Sequence, residues 1–71
     1  MPLVQITMIE GREDAAIQNC MKRIAHTIHE TLGAPIETVR IIVNQVPSKQ
    51  WMVGDRTREE IDREKMAKGG A

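Results

Sequence analysis

The apolar positions of this chain change their period along its length, and each change predicts an element. In PLVQITMI, residues 2 to 9, Val4, Ile6 and Met8 fall on one face and Leu3, Gln5, Thr7 and Ile9 on the other, which predicts a mostly buried strand. Glu10-Gly11-Arg12 breaks the run, and Glu13 and Asp14 then put negative charge where a following helix has its positive end. From about Asp14 to Leu32, Ile17, Cys20, Met21, Ile24, Ile28 and Leu32 recur three or four apart, the stripe of an amphipathic helix. On that stripe Cys20 is expected as a buried small hydrophobe, and Met21, like Met8, as core filler. Gly33 suits a C-terminal cap, and Pro35 the first position of a short helical turn through Glu37 and Thr38.

A second strand-like run, VRIIVNQV from Val39 to Val46, stops at Pro47, which cannot donate to a ladder. The order is therefore strand, helix, strand. A helix long enough to run back along the sheet makes the strands parallel, joined by a right-handed crossover. The fold class is α/β, a β-α-β protomer. Two parallel strands under one helix leave two bare edges and one uncovered face, so strands are expected to continue across a dimer. Trp51 to Asp55 reads as a short hairpin or loop able to lie over a neighbour. Residues 56 to 70 open with a Thr57-x-x-Glu60 capping box and carry Glu59/Arg63 and Glu64/Lys68 pairs. They predict a mainly solvated C-terminal helix, thin in apolar content at Ile61, Met66 and Ala67, with a frayed Gly-Gly-Ala end. The chain is one domain, 1–71, with its core in residues 2–55 and a charged extension over 56–71.

Size changes this picture. A chain of 71 residues buries too little surface to be comfortably stable alone. Its one cysteine, Cys20, allows no intrachain disulfide and has no zinc-type spacing with either histidine, so self-association is the remaining route to stability. Ten basic residues balance ten acidic ones and Trp51 is the only aromatic, which leaves neither an electrostatic footprint nor a stacking platform for nucleic acid. No segment approaches the roughly 18 apolar residues that span a bilayer, and no signal sequence opens the chain. A cytoplasmic location is expected, with no membrane partner.

Candidate chemistry gathers at the chain's start. Proline after the initiating methionine is a good substrate for methionine removal, which would leave a free secondary amine at the end of a strand. An α-amine begins nearer neutrality than lysine, about 8 against about 10.4, and so is closer to what a general base at physiological pH needs. Burial and nearby cations both disfavour the protonated form, and Arg12 and Arg40 are the candidate cations. Each arginine also presents a planar fork that grips a carboxylate through two parallel hydrogen bonds. Two forks flanking a weak base describe a site for a doubly acidic substrate, with Trp51 as an apolar wall that excludes water.

Pro2, the Glu10-Gly11-Arg12 turn, the Ala34-Pro35 turn leading into Thr38-Val39-Arg40-Ile41-Ile42, and an aromatic at position 51 resemble the 4-oxalocrotonate tautomerase family in identity and spacing. The resemblance covers residues 2 to about 55. It implies a β-α-β protomer assembled as a hexamer, a trimer of dimers, and a cofactor-independent, metal-free isomerase. In that family the proline nitrogen takes a proton from a dienol such as 2-hydroxymuconate and returns it at a distant carbon, giving the conjugated ketone. Carried over, Pro2, Arg12 and Arg40 are the catalytic residues. Pro2 is base and then acid; Arg40 binds one carboxylate and the developing oxygen charge, and Arg12 the other carboxylate. The substrate contacts would be Ile9, Arg12, Thr38, Arg40 and Trp51, converging from different subunits. The expected partners are thus an enol or keto dicarboxylic acid and further copies of the chain as a homohexamer, with a heterohexamer as the alternative.

The chain departs from the common pattern at Trp51, where phenylalanine is typical, at Thr38, where serine is usual, and in its extension after Asp55. Dehalogenase relatives need an acid close after the aromatic wall; here Met52-Val53-Gly54 follows it and only Asp55 keeps that activity open. Each residue also has a plainer reading: Pro2 as an ordinary strand start, Arg12 as a solvated loop charge, Trp51 as interface packing, and His26 and His29, three apart, as surface histidines. Arg40 is harder to set aside, because a guanidinium amid Val39, Ile41 and Ile42 needs a partner or an exit to water. The alternatives to a tautomerase are a non-catalytic subunit of the same fold and a relative with decarboxylase or hydratase activity.

Overall fold

The computed structural model describes residues 1–69, with side chains through Met66. Strand β1 (Leu3–Ile9) leads to helix α1 (Asp14–Leu32), a 3-10 turn (Ile36–Thr38) and strand β2 (Arg40–Val46). A second 3-10 turn (Ser48–Gln50), a hairpin of β3 (Met52–Val53) and β4 (Arg56–Thr57), and helix α2 (Arg58–Gly69) follow. Strands β1 and β2 pair with each other. Their starts are joined by Arg40 N–H donating to the Pro2 carbonyl at 2.9 Å, and their ends by Glu10 N–H donating to the Val46 carbonyl at 2.9 Å. Start meets start and end meets end, so the pair is parallel, as the length of α1 predicts.

Packing divides the chain into two compact units. The first comprises Met1–Thr7 and Gly11–Asn44. Its helix begins where the Glu13 carbonyl accepts from the N–H groups of Ala16 and Ile17, both at 3.1 Å, with Asp14 complementing the helix dipole in the first turn. It ends at Gly33, whose φ of 75° lets its N–H reach the His29 carbonyl at 3.0 Å, a conformation a residue with a Cβ adopts only under strain. The His29 ring, through Nδ1, donates to the Ala34 carbonyl at 2.6 Å, which makes His29 part of the helix terminus.

Alternation along the strands separates two faces. Val4 and Ile6 of β1 and Ile41 and Val43 of β2 are half-buried, whereas Leu3, Gln5, Thr7, Arg40, Ile42 and Asn44 are exposed. On α1 the half-buried residues are Met21, Ile24, Ala25 and Ile28, and Ile17 is the one buried apolar side chain among the described residues, at 7% exposure. Cys20 corrects the sequence expectation, because it is exposed. A helix offers one stripe to a sheet, and Ile17, Met21, Ile24 and Ile28 occupy it here. Cys20 falls on the adjacent ridge with Ala16, Arg23 and Thr27, and these side chains line an open groove of about 400 Å³ together with the flanks of Ile24 and Ile28. Leu32, the last helical residue, is likewise exposed.

The second unit comprises Met8–Glu10 and the chain from Gln45 onward. Its hairpin is antiparallel, pairing Met52 with Thr57 and Val53 with Arg56, and turns at Gly54, whose φ is 67°. Helix α2 starts at Arg58 rather than 56 because Arg56 and Thr57 are taken up by β4. Half of the capping box forms: the Thr57 hydroxyl accepts from Glu60 N–H at 3.1 Å, but the Glu60 carboxylate accepts from that same hydroxyl, at 3.1 Å, rather than from the Thr57 N–H. Arg63 pairs with Glu59 at 2.8 Å as the spacing predicts, Arg58 pairs with Asp62 at 3.0 Å, and Arg56 pairs with Glu64. The Lys68 side chain expected beside Glu64, and the terminal Gly70 and Ala71, lie outside the described residues.

Ile17→Ala should lower unfolding stability by about 2–4 kcal/mol, since it removes a buried branched side chain that its surroundings refill only in part. Chemical denaturation at one fixed protein concentration measures this, and a change below about 1 kcal/mol would place the core elsewhere.

Candidate active site

Pro2 precedes β1 and is half-buried. Its carbonyl accepts the Arg40 N–H at 2.9 Å, so the parallel register sets the first residue of β2 beside the proline at the start of β1. The Arg40 side chain takes both routes open to a guanidinium at the edge of an apolar strand. It is exposed, and its Nη1 donates to the carbonyls of Glu37 at 2.8 Å and Val39 at 3.3 Å. Those carbonyls belong to the end of the 3-10 turn, which needs a donor there because the turn does not continue as a helix.

Thr38 builds the same turn. Its N–H and its hydroxyl both donate to the Pro35 carbonyl, at 2.9 Å and 2.7 Å. Pro35 stands one position before the turn rather than inside it, as its cap. A backbone bond thereby joins Pro2 to Arg40, while Thr38 shapes the turn that leads into Arg40, all three within a single unit.

Arg12 lies past the other end of β1, exposed and directly after Gly11, whose φ is 131°. The seven residues of β1 rise about 3.3 Å each. That puts roughly 20 Å of strand between Pro2 and the turn bearing Arg12, farther than an arginine side chain reaches. Within one chain these two residues do not meet.

The remaining expected contacts, Ile9 and Trp51, are half-buried. Trp51 closes the second 3-10 turn, where its N–H reaches the Ser48 carbonyl at 3.4 Å and its own carbonyl accepts from Arg58 N–H at 2.7 Å. Among the described residues Arg56, Arg58 and Arg63 are paired with carboxylates, whereas Arg12, Arg23 and Arg40 have none. Arg12 and Arg40 are therefore available to an acidic ligand. No group of three or more His, Cys, Asp or Glu side chains able to hold a metal occurs among the described residues. The carbonyls of Glu37 and Val39 are the part of this site that residue types did not signal, because any residue supplies a backbone oxygen.

The model of the tautomerase enzyme family matches residues 2–60. The chain belongs to the 4-oxalocrotonate tautomerase family. A 2-hydroxymuconate tautomerase of Pseudomonas putida is 33% identical to this chain over 63 residues, covering 89% of this chain and all of its own. A solved 4-oxalocrotonate tautomerase homologue of the tomaymycin biosynthetic pathway superposes with a TM-score of 0.82 at 37% identity, over 87% of this chain and 95% of its own. A heterohexameric 4-oxalocrotonate tautomerase of Chloroflexus aurantiacus superposes with a TM-score of 0.79 at 30% identity, over 86% of this chain and 98% of its own. The chain thus shares the β-α-β architecture of these structures along nearly all of their length.

Thr38→Ser should leave this turn intact, whereas Thr38→Val should cost about 0.5–1.5 kcal/mol by deleting the hydroxyl bond to Pro35. Denaturation of the two variants in parallel separates loss of the bond from loss of the methyl group.

Proposed function

We propose that this tautomerase is a cofactor-independent isomerase that moves a proton within an unsaturated 2-hydroxy dicarboxylic acid, such as 2-hydroxymuconate, using Pro2 after removal of Met1. With Met1 in place the Pro2 nitrogen is an amide and has no basicity. Once free, it accepts the proton of the substrate's enol hydroxyl and delivers it to a distant carbon of the conjugated system, so the ring nitrogen ends as it began. Arg40 binds one carboxylate and the oxygen on which negative charge grows, and its exposed fork is suited to both. Arg12 holds the other carboxylate, with Ile9, Thr38 and Trp51 shaping the wall.

The observation that carries this reading is the 2.9 Å bond from Arg40 N–H to the Pro2 carbonyl, which sets the backbone of an arginine that has no carboxylate partner beside the residue whose nitrogen is proposed to act. The separation along β1 requires that Arg12 come from another copy, so the competent form is an assembly, and a hexamer is the proposed one. Leu3 at 55% exposure and Ile42 at 46%, on the face of the sheet that α1 leaves open, support an interface there. Likeness to the heterohexamer of Chloroflexus aurantiacus favours keeping a mixed assembly as the second reading, in which this chain could be a subunit without its own activity.

Pro2→Ala should lower kcat for 2-hydroxymuconate by roughly 100-fold or more with little change in KM, because it removes a proton carrier and leaves the binding groups in place. Arg40→Ala should lower kcat and raise KM, a combined loss of about 10- to 100-fold in kcat/KM for one charged hydrogen-bonding partner. Full activity in Pro2→Ala would overturn the mechanism.

Intact mass of the purified protein should be one methionine lighter than the translated chain, and native mass spectrometry should give six subunits. A retained methionine would shift the reading to the non-catalytic subunit.

A further inference from the structure

We propose that the start of helix α2 is a positioning element for the active-site wall: the backbone N–H of Arg58 fixes Trp51, and so sets the shape of the pocket. This rests on the reading of Trp51 as part of that wall. The hairpin register pairs Met52 with Thr57 and Val53 with Arg56, so the next pair outward is Trp51 with Arg58. The 2.7 Å bond from Arg58 N–H to the Trp51 carbonyl is that pair, and it extends the ladder by one step into the first residue of α2. The other backbone bond of Trp51, to the Ser48 carbonyl, is 3.4 Å, beyond the usual range for N–H···O. The Arg58 bond is therefore the stronger restraint on where the indole begins.

The far side of this bond is itself anchored. The Thr57 hydroxyl caps α2 through its bonds with Glu60, Arg58 pairs with Asp62 at 3.0 Å, and Arg56 of the hairpin pairs with Glu64 one turn further along. Helix α2 also packs against the 3-10 turn that ends at Trp51. Position 58 is the first residue of the helix, where an N–H has no intrahelical acceptor and would otherwise face solvent. Here it is spent on the tryptophan. The charged extension, which lacks the apolar content to build a core, thus has a mechanical use: it holds a donor in place.

The geometry offers a selective test. Proline is tolerated at the first position of a helix and constrains the preceding residue to extended backbone, which Thr57 in β4 already has. Arg58→Pro therefore deletes the N–H and spares the helix, while Arg58→Ala keeps the N–H and removes only the side chain. Trp51 is the only aromatic residue of the types Phe, Trp and Tyr in the chain, so intrinsic fluorescence reports on it alone. In the full-length assembled protein, Arg58→Pro should red-shift the emission, increase quenching by acrylamide and raise KM for 2-hydroxymuconate roughly threefold to tenfold, the equivalent of one net hydrogen bond, with kcat nearly unchanged. Arg58→Ala should match the parent in all these readouts. Unchanged emission in Arg58→Pro, or equal effects in both variants, would overturn the positioning role. A shifted emission with unchanged KM would overturn it too, by removing Trp51 from the substrate wall, while the activity of Pro2→Ala tests the isomerase reading independently. Should Arg58→Pro fail to fold, Thr57→Ala against Thr57→Ser gives the same contrast through the cap, with the serine variant restoring emission and KM and the alanine variant not; parity of the two overturns the proposal.

Discussion

The parallel register of two strands is the constraint on which the rest of this protein depends. One bond at each end defines it, Pro2 to Arg40 at the start and Glu10 to Val46 at the finish. A shift by one residue would turn Arg40 toward the helix-covered face and Ile41 toward solvent, so the hydrophobic alternation of both strands defends the register. The chemistry proposed at Pro2, just before β1, inherits its precision from this pairing, since no side-chain contact is needed to keep proline and arginine together.

The same pairing leaves the protomer unfinished. A parallel pair ordinarily lies inside a wider sheet covered on both faces, and here α1 covers one face only. Arg12 beyond one end of β1 and Pro2 before the other express that incompleteness in the candidate site, since the strand keeps the two residues apart. In the proposed assembly, other copies of the chain would supply both apolar cover and the second carboxylate-binding arginine.

Much of this was legible in the residues. Helix α1 runs from Asp14 to Leu32 as the three- and four-residue spacing predicts, and Gly33 caps it. The Thr57 hydroxyl cap on Glu60 N–H and the Glu59/Arg63 pair also form, because local rules operate over one helical turn and need no knowledge of distant chain. Cys20 failed for the opposite reason: periodicity identifies a helix as amphipathic but does not say how wide a stripe a two-stranded sheet can cover, and this sheet covers only the ridge through Ile17, Met21, Ile24 and Ile28. In the candidate site, Pro2 and Arg40 were singled out by the chemistry of their residue types, and Thr38 only through the resemblance to the family's pattern. The acceptors that hold the Arg40 guanidinium, and the donor that holds Trp51, are backbone atoms and leave no trace in residue identity.

Ile17, alone among the described apolar side chains in being sealed from water, has a consequence for how the molecule comes apart. A chain that sequesters so little by itself would gain most of its dry interior by meeting other chains, so in the proposed assembly folding and association merge into one event governed by mass action. Its melting temperature then rises with protein concentration, and dilution alone moves the population toward unfolded chains.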